Sequence, residues 1–190
     1  MNNTTLHIKN MVCPRCIKAV RQVLEQQGLP VADVGLGKAM LNGTPDAAQT
    51  EAIAKALEAE GFLLLDDRRH QLVEAIKNIV VETVHYGELE ELNENFSTLL
   101  AQRLQKDYHQ LSKLFSEVEN TTIEQYIIHQ KIERVKELLM YGELTLSEIS
   151  YKLGYSSVAH LSGQFKKVTG LTPSQFKQLK ESPRKPLDKI

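Results

Sequence analysis

The stretch that decides the fold of the C-terminal half is TLSEISYKLGYSSVAHLSGQFKKVTGLTPSQF, residues 145–176. Thr145 and Glu148 have the three-residue spacing of a capping box, which predicts the start of a short helix. Gly154 follows that helix and permits the left-handed backbone of a sharp turn. The stretch therefore predicts two short helices joined by a tight turn, which is the physical content of a helix-turn-helix.

The second helix of this pair is predicted to begin at Ser156 or Ser157, either of which can cap it. It buries Leu161 and Phe165, which share one face at helical spacing. In a helix-turn-helix the first residues of this second helix face base edges in a major groove. Taken alone, the pair could equally be an αα-hairpin inside an ordinary helical bundle.

The same stretch resembles the second half of the DNA-binding domain of AraC/XylS-type transcription regulators. In that family a short helix ends in glycine plus an aromatic residue. A recognition helix with an apolar residue and then Phe-Lys follows, and Gly-x-Thr-Pro comes after it. The matching residues here are Gly154-Tyr155, Leu161, Phe165-Lys166, Gly170 and Thr172-Pro173.

The resemblance extends upstream to cover roughly residues 97–180. A first helix-turn-helix at the family's spacing is carried by Leu100-Ala101, Leu104, Leu111-Ser112 and Phe115. A long connecting helix is carried by Tyr126-Ile127, Lys131-Ile132, Val135-Lys136 and Leu138-Leu139. Three positions depart from the family, because Asn120 replaces a frequent glycine, Gly163 a longer polar residue and Gln110 a frequent aromatic residue. The first motif is therefore expected to keep its core but to read few bases.

The resemblance implies roles for particular side chains at the DNA. Ser157, Val158 and His160 are the expected groove-facing residues, since an apolar side chain can touch a thymine methyl group and histidine can bond a base edge. Lysines are expected at phosphates, which give affinity without sequence information. For each residue the alternative is an ordinary solvated surface position. The predicted DNA-binding set is Tyr108, His109, Lys113, Ser157, Val158, His160, Lys166 and Lys167.

A second informative stretch is MVCPRC, residues 11–16, which holds both cysteines of the chain. Two thiolates from one loop suit a soft ion such as Cu(I), and the adjacent helix N-terminus and Arg15 favour the thiolate. The loop lies between a predicted strand and helix and resembles that of heavy-metal-associated (HMA) domains, Met-x-Cys-x-x-Cys, here Met11, Cys13 and Cys16. The resemblance implies a metal site at the two cysteines, with the methionine packed beneath the loop.

Three interpretations of the thiol pair stay open: a working soft-metal site, an HMA fold retained without metal, and a redox pair. Asn10 stands where the family has glycine, and Pro14 stiffens the loop. Two ligands are also few for zinc, which takes four in structural sites. His7 lies nearby in the sequence but is expected to point elsewhere on its strand. The remaining histidines show no ligand spacing to one another: His70, His85, His109, His129 and His160.

Residues 1–66 show short strands and two helices in the order βαββαβ, the ferredoxin-like arrangement. The second helix is predicted to start at Thr44-Pro45-Asp46, with the proline at an early helical position. A helix of about five turns follows, ends at Gly87 and carries an apolar stripe that suits either dimerisation or internal packing. The chain is therefore predicted to be an α+β protein with four segments: a ferredoxin-like domain at 1–66, a connecting helix and acidic linker at 67–95, an all-α tandem helix-turn-helix domain at 96–181, and a basic, loose tail at 182–190.

Charge and composition narrow the function classes. The net charge is −1, but residues 1–119 carry 12 Lys/Arg against 17 Asp/Glu and residues 120–190 carry 11 against 7, so the second part suits a polyanionic partner. No apolar run reaches the roughly 18 residues that span a bilayer, and the N-terminus does not resemble a signal peptide. We therefore expect a cytoplasmic protein without membrane contact. No phosphate loop, catalytic triad or cofactor fingerprint is visible, so we expect no enzyme.

These features together predict a sequence-specific, DNA-binding transcription regulator of the AraC type. Its N-terminal domain is expected to sense a soft metal or a thiol state, or to serve only as an assembly surface. Double-stranded DNA is the expected partner, with a second copy of the chain and RNA polymerase as further candidates. The competing interpretation is a metal carrier or sensor whose helical half binds protein partners instead of DNA.

Overall fold

The structure of the protein is a computed structural model that describes residues 3–92, 94–179 and 185–190. It divides into two compact units, residues 1–78 and 79–190. The boundary falls inside one helix, whereas the sequence predicts a separate connector at 67–95. The physical reason lies in the first turns of that helix, where the Gln71 amide donates to the Leu65 carbonyl at 2.8 Å and ties the helix to the N-terminal unit.

The N-terminal unit is a four-stranded antiparallel sheet with two helices. Its strands are β1 (Asn3–Lys9), β2 (Val31–Gly35), β3 (Lys38–Asn42) and β4 (Leu63–Leu65), and its helices are α1 (Pro14–Gln26) and α2 (Ala47–Ala59). The strands lie in the order β2-β3-β1-β4. The elements follow one another along the chain in the predicted order βαββαβ.

Alternation along β1 builds the core of this unit. Leu6 and Ile8 are buried on one face, as the period of two residues in a strand requires. The apolar faces of both helices join the same core, α1 through Leu24 and α2 through Leu57. Met11 is fully buried there as well, which agrees with the prediction that it packs beneath the cysteine loop.

The start of α2 differs from the prediction. The N-cap is Asp46, whose carboxylate accepts from the Gln49 N–H at 2.7 Å, and the Gln49 side chain accepts from the Asp46 N–H in return. This capping box satisfies two backbone donors at once. Pro45 therefore lies outside the helix, not at an early helical position.

Helix α3 (Arg68–Val81) continues into a π-helical turn, Glu82–Tyr86, before Gly87. The predicted length of about five turns and the end at Gly87 are confirmed. A Cβ atom at Gly87 would lie 2.9 Å from the Thr83 carbonyl oxygen, so the close approach of the backbone requires glycine there. His85, in the π-helical turn, is buried and hydrogen-bonds Gln130 at 2.9 Å.

Six further α-helices lie in the described part of the C-terminal unit. They are α4 (Phe96–Leu104), α5 (Tyr108–Glu119), α6 (Ile123–Tyr141), α7 (Leu146–Lys152), α8 (Val158–Thr169) and α9 (Pro173–Lys177). Each begins at a polar side chain that accepts a hydrogen bond from the backbone of the first turn. The capping residues are Asn95, Asp107, Thr122, Thr145, Ser157 and Thr172.

Helix α6 is the centre of this unit, since α5, α7, α8 and α9 all contact it. Two aromatic pairs fill the spaces around it. Phe115 lies 5.6 Å from Tyr126, and Phe165 lies 5.5 Å from Phe176, measured between ring centroids. Such tilted and edge-on pairs add specific geometry to the area they bury.

The last described residues differ from the predicted loose tail at 182–190. From residue 185 onward the chain contacts α6, where the Lys185 N–H donates to Glu133 at 3.1 Å and Gln130 donates to the Leu187 carbonyl at 3.3 Å. Residues 182–184 lie outside the described part of the chain. Within the described ranges, no helix is both long and apolar enough to cross a membrane.

Candidate nucleic-acid interface and thiol pair

The second helix-turn-helix has the caps that the sequence predicts. The Thr145 hydroxyl accepts from the Glu148 N–H at 3.3 Å, and the Glu148 carboxylate accepts from the Thr145 N–H at 2.7 Å. Gly154 has φ 65° in the turn that follows α7, so the left-handed residue is where the sequence places it. Ser157 is the N-cap of α8, because its hydroxyl accepts from the His160 N–H at 3.1 Å.

Tyr155 joins the turn to α8 more firmly than a purely apolar side chain would, because it makes a hydrogen bond as well as a ring contact. Its hydroxyl donates to the Gln164 side-chain carbonyl at 2.7 Å, and its ring meets the His160 ring edge-on at 5.3 Å. Burial raises the pKa of the Tyr155 hydroxyl, so it stays protonated and donates throughout the physiological range. Tyr155, which lies between α7 and α8, therefore contacts residues in the first two helical turns of α8 and stabilises their position.

His160 is exposed near the start of α8, as expected of a residue that reads a groove. Its Nδ1 lies 3.0 Å from the Ser156 hydroxyl. Together with the edge-on contact to Tyr155, this hydrogen bond restrains the imidazole orientation before any ligand arrives. A restrained side chain loses less conformational entropy when it binds.

The remaining predicted residues on α8 differ in exposure. Val158 is half-buried, while Lys166 and Lys167 are exposed in the last turn. Ala159 and Gly163, which the sequence analysis did not select, are also exposed on this helix. A Cβ atom at Gly163 would meet nothing within 4 Å, so the glycine leaves an open stretch in the middle of the exposed face.

The first helix-turn-helix presents fewer free polar groups. The Tyr108 hydroxyl donates to the Glu124 carboxylate at 2.5 Å, which ties the start of α5 to α6. Burial and the neighbouring carboxylate raise the pKa of this tyrosine. His109 and Lys113 are exposed, so two of the three predicted residues of this motif remain accessible.

The structure distributes the predicted set over two helices that both contact α6. Tyr108, His109 and Lys113 lie on α5, and the other five lie on α8 or at its N-cap. Sequence reasoning missed the supporting contacts made by Ser156 and Gln164. Ser156 precedes the N-cap of α8, so the spacing rule for residues on one helical face gives no signal for its contact with His160.

The two cysteines lie at the start of α1, where Cys13 is the N-cap and its carbonyl accepts from the Cys16 N–H at 3.0 Å. Their sulfur atoms are 3.1 Å apart and half-buried. Burial acts to raise the pKa of Cys13, but hydrogen bonds from the Cys16 thiol and from backbone N–H groups outweigh it and leave that pKa lowered. Burial and the bond donated to Cys13 raise the pKa of Cys16.

Asn10 supports this loop from the position where HMA domains have glycine. It adopts φ 73°, a left-handed conformation that asparagine tolerates better than most residues. Its side-chain amide donates to the Gly61 carbonyl at 2.9 Å. Among the described residues, no group of three or more His, Cys, Asp or Glu side chains could hold a metal ion. A pair of thiols is therefore the donor set that the described loop offers.

Comparison with known proteins finds similarity in the C-terminal unit. A family model described as a helix-turn-helix domain matches residues 100–179. The Msm operon regulatory protein of Streptococcus mutans is 30% identical over 106 residues, which cover 55% of this chain and 36% of that protein. The xylose operon regulatory protein of Haemophilus influenzae is 28% identical over 99 residues, which cover 52% of this chain and 26% of that protein.

One solved structure has the same fold in this region. The C-terminal domain of AraT, a response regulator from Geobacillus stearothermophilus, superimposes with a TM-score of 0.50 at 22% identity and covers 59% of this chain and 88% of its own. Residues 100–179 therefore match a helix-turn-helix domain, as the sequence predicts. The chain spans only about a third of one of these two regulatory proteins and about a quarter of the other.

Proposed function

We propose that this protein is a sequence-specific DNA-binding regulator of transcription, of the AraC type. The observation that carries the proposal is the start of α8, where His160 is exposed, oriented by Ser156 and Tyr155, and placed in the first turn after the cap. That is the part of a recognition helix that faces base edges. The helix-turn-helix match and the regulatory names of the two relatives support the same function.

Charge on the two second helices supports a polyanionic partner. Lys113 on α5 and Lys166 and Lys167 on α8 are exposed. Each lysine that meets a phosphate releases condensed counterions, so affinity should fall linearly on a logarithmic scale as salt rises. In this proposal the lysines supply affinity and the α8 N-terminus supplies sequence preference.

A mobility-shift assay with genomic fragments tests the regulator proposal. The full chain should retain a few fragments at moderate salt in the presence of excess random DNA, with or without Cu(I). If no fragment is retained selectively under either condition, the proposal fails. The competing function, a metal carrier whose helical half binds proteins, then gains support. Sequencing of the retained fragments gives the preferred site.

We further propose that the N-terminal unit is an HMA-like ferredoxin-fold domain that binds a soft metal such as Cu(I). The βαββαβ order and the strand order β2-β3-β1-β4 support the fold. Cys13 and Cys16 fit the ion, because both thiols lie on one loop and their sulfur atoms are hydrogen-bonded at 3.1 Å. After loss of the thiol protons, the two thiolates can bind a soft cation in place of this hydrogen bond. The bound ion would supply Lewis acidity that keeps both sulfurs ionised.

A competition titration tests this metal proposal. Wild type and Cys13→Ser are titrated with Cu(I) against a strong chelator under reducing conditions. The wild type should compete and the variant should not, because a single thiolate cannot replace a two-sulfur site. Equal, weak binding by both proteins would leave the unit with a structural role. We also propose a homodimer and contacts with RNA polymerase. Sedimentation tests the homodimer, and transcription assays on a retained fragment test the contacts with the polymerase.

A further inference from the structure

One cation in the C-terminal unit contacts both helix-turn-helix motifs. The Lys131 ammonium group on α6 donates to the Leu153 carbonyl at 2.9 Å, at the C-cap of α7. It also lies 5.3 Å from the centroid of the Tyr155 ring, in the turn of the second motif. In the first motif, it lies 5.8 Å from the centroid of the Phe96 ring, at the first residue of α4.

The surroundings of this ammonium group explain why a cation suits the position. The last carbonyls of a helix carry a partial negative charge, and a cation at that end is favourable. Aromatic faces attract the same charge, more strongly where water is excluded. Lys131 is half-buried, unlike the exposed lysines of α8. This burial lowers the pKa of Lys131.

We propose that Lys131 is a positioning residue that fixes the two helix-turn-helix motifs relative to each other. Its ammonium group links α6 to the first helix of one motif and to the turn of the other. Tyr155 carries the constraint onward, since its hydroxyl donates to Gln164 on α8 at 2.7 Å. A protein that reads two successive grooves needs a defined spacing between its two second helices, because base contacts tolerate little displacement.

The expected effect of Lys131 on DNA binding rests on the proposed function. The positioning of the two motifs does not, and it can be tested without DNA. Spin labels are placed on α5 and α8 of the full chain through Gln110→Cys and Ala159→Cys, both exposed positions, in a Cys13→Ser, Cys16→Ser background. The distance distribution between the labels should be narrow in the parent. Lys131→Met should broaden or shift it, while Lys131→Arg, which keeps the charge and stacks on rings, should preserve it.

The DNA arm separates positioning from direct contact. On a retained fragment, Lys131→Met should lose about tenfold in affinity, the effect of one charged hydrogen bond. Its salt dependence should match that of wild type, because Lys131 neutralises no phosphate. Lys166→Met, an exposed lysine on α8, should instead reduce the salt slope by about 1.

Several outcomes would overturn the proposal. A distance distribution for Lys131→Met identical to that of the parent removes the positioning role, and a reduced salt slope makes Lys131 a phosphate contact instead. If Lys131→Met does not fold, Phe96→Leu removes one ring while keeping the cation and must also broaden the distribution. If wild type retains no DNA at all, the proposed function fails, and the distance distributions alone decide the positioning role.

Discussion

Tyr108 and Glu124 show how a polar side chain can be engaged in a hydrogen bond within the fold. The tyrosine was predicted to contact DNA, yet its hydroxyl donates to the carboxylate on α6 at 2.5 Å. That hydrogen bond, given to the ionised form, lowers the pKa of Glu124. The hydrogen bond between Tyr108 and the charged Glu124 carboxylate therefore joins the start of α5 to the first turn of α6.

Tyr108→Phe should raise the pKa of Glu124 toward its ordinary value of 4.5. The sign follows from linkage: a carboxyl whose folded-state pKa is depressed adds stability above its unfolded pKa and loses it as the pH falls through the folded value. The variant should therefore lose stability at neutral pH and differ little from wild type in acid. Carbon-13 NMR titration of the glutamate carboxyls measures the shift. Glu148, held by Thr145, is the control that should not move.

His160→Ala should weaken binding to a retained fragment more than binding to random DNA. A base contact of this kind is worth roughly 1–3 kcal/mol of discrimination. The backbone N–H that Ser157 caps is unchanged by the substitution, so α8 should keep its stability. Lys167→Ala is the matched control and should reduce both affinities alike. A uniform loss for His160→Ala would reassign the histidine to a phosphate contact.

Cys13 should react with iodoacetamide faster than Cys16 at neutral pH. Its lowered pKa gives a larger thiolate fraction, and the thiolate is the nucleophile, so its rate profile should lie at lower pH. Cys16, whose pKa is raised, should react at higher pH. Peptide mapping by mass spectrometry follows each site. Cys16→Ala removes the hydrogen bond that the Cys16 thiol donates to Cys13 and should slow the reaction of Cys13 with iodoacetamide. An unchanged rate at Cys13 would show that the contact between the two thiols has no role in its reactivity.

At the scale of helices and strands, local signals explain why so much could be predicted. Capping side chains, glycines at turns and apolar periodicity are all carried within a few residues, so α7, α8 and their turn agree with expectation. The π-helical turn after α3 has no such local signal. Its Val84 and His85 are buried, and His85 bonds Gln130, which is distant in the sequence. Pro45 misled because Asp46, one residue later, makes a complete capping box.

Asn120 provides a test of one such signal, since it ends α5 with φ 54° where the family often has glycine. Asn120→Ala should destabilise the domain by about 1 kcal/mol, because a Cβ without a local hydrogen-bonding group is unfavourable in the left-handed region. Asn120→Gly should be neutral or slightly stabilising. Urea unfolding of the full chain gives both free energies. Equal losses for the two variants would mean that the side chain, not the backbone, matters there.

At the scale of the whole molecule, what escaped prediction depends on contacts between distant residues. The sequence indicated where helices begin, but not that α3 belongs partly to each unit, that Lys131 lies between Phe96 and Tyr155, or that the chain after residue 184 contacts α6. These features join residues separated by tens of positions, and a single sequence carries no pairing signal for them. The candidate DNA-binding site shows the same difference. Its residue types could be predicted from the sequence, whereas the hydrogen-bond partners of those residues could not.

The cysteine loop is hydrogen-bonded to helix α3 within the N-terminal unit. The Asn10 N–H, three residues before Cys13, donates to the Glu74 carboxylate at 3.1 Å. Glu74 lies on α3, in the part of the helix that belongs to the N-terminal unit. A metal that orders the loop would therefore strengthen one hydrogen bond to this helix.

Cu(I) should increase amide protection in α1 and along α3 when hydrogen exchange is followed by mass spectrometry, because a ligand that binds only the folded state suppresses opening. In Glu74→Ala the gain in α1 should remain while the gain in α3 disappears, since the loop then lacks its hydrogen bond to the helix. Cys13→Ser should show neither gain. If α3 gains equal protection in Glu74→Ala, the loop acts on the helix through packing alone, and the hydrogen bond from Asn10 is only a structural contact.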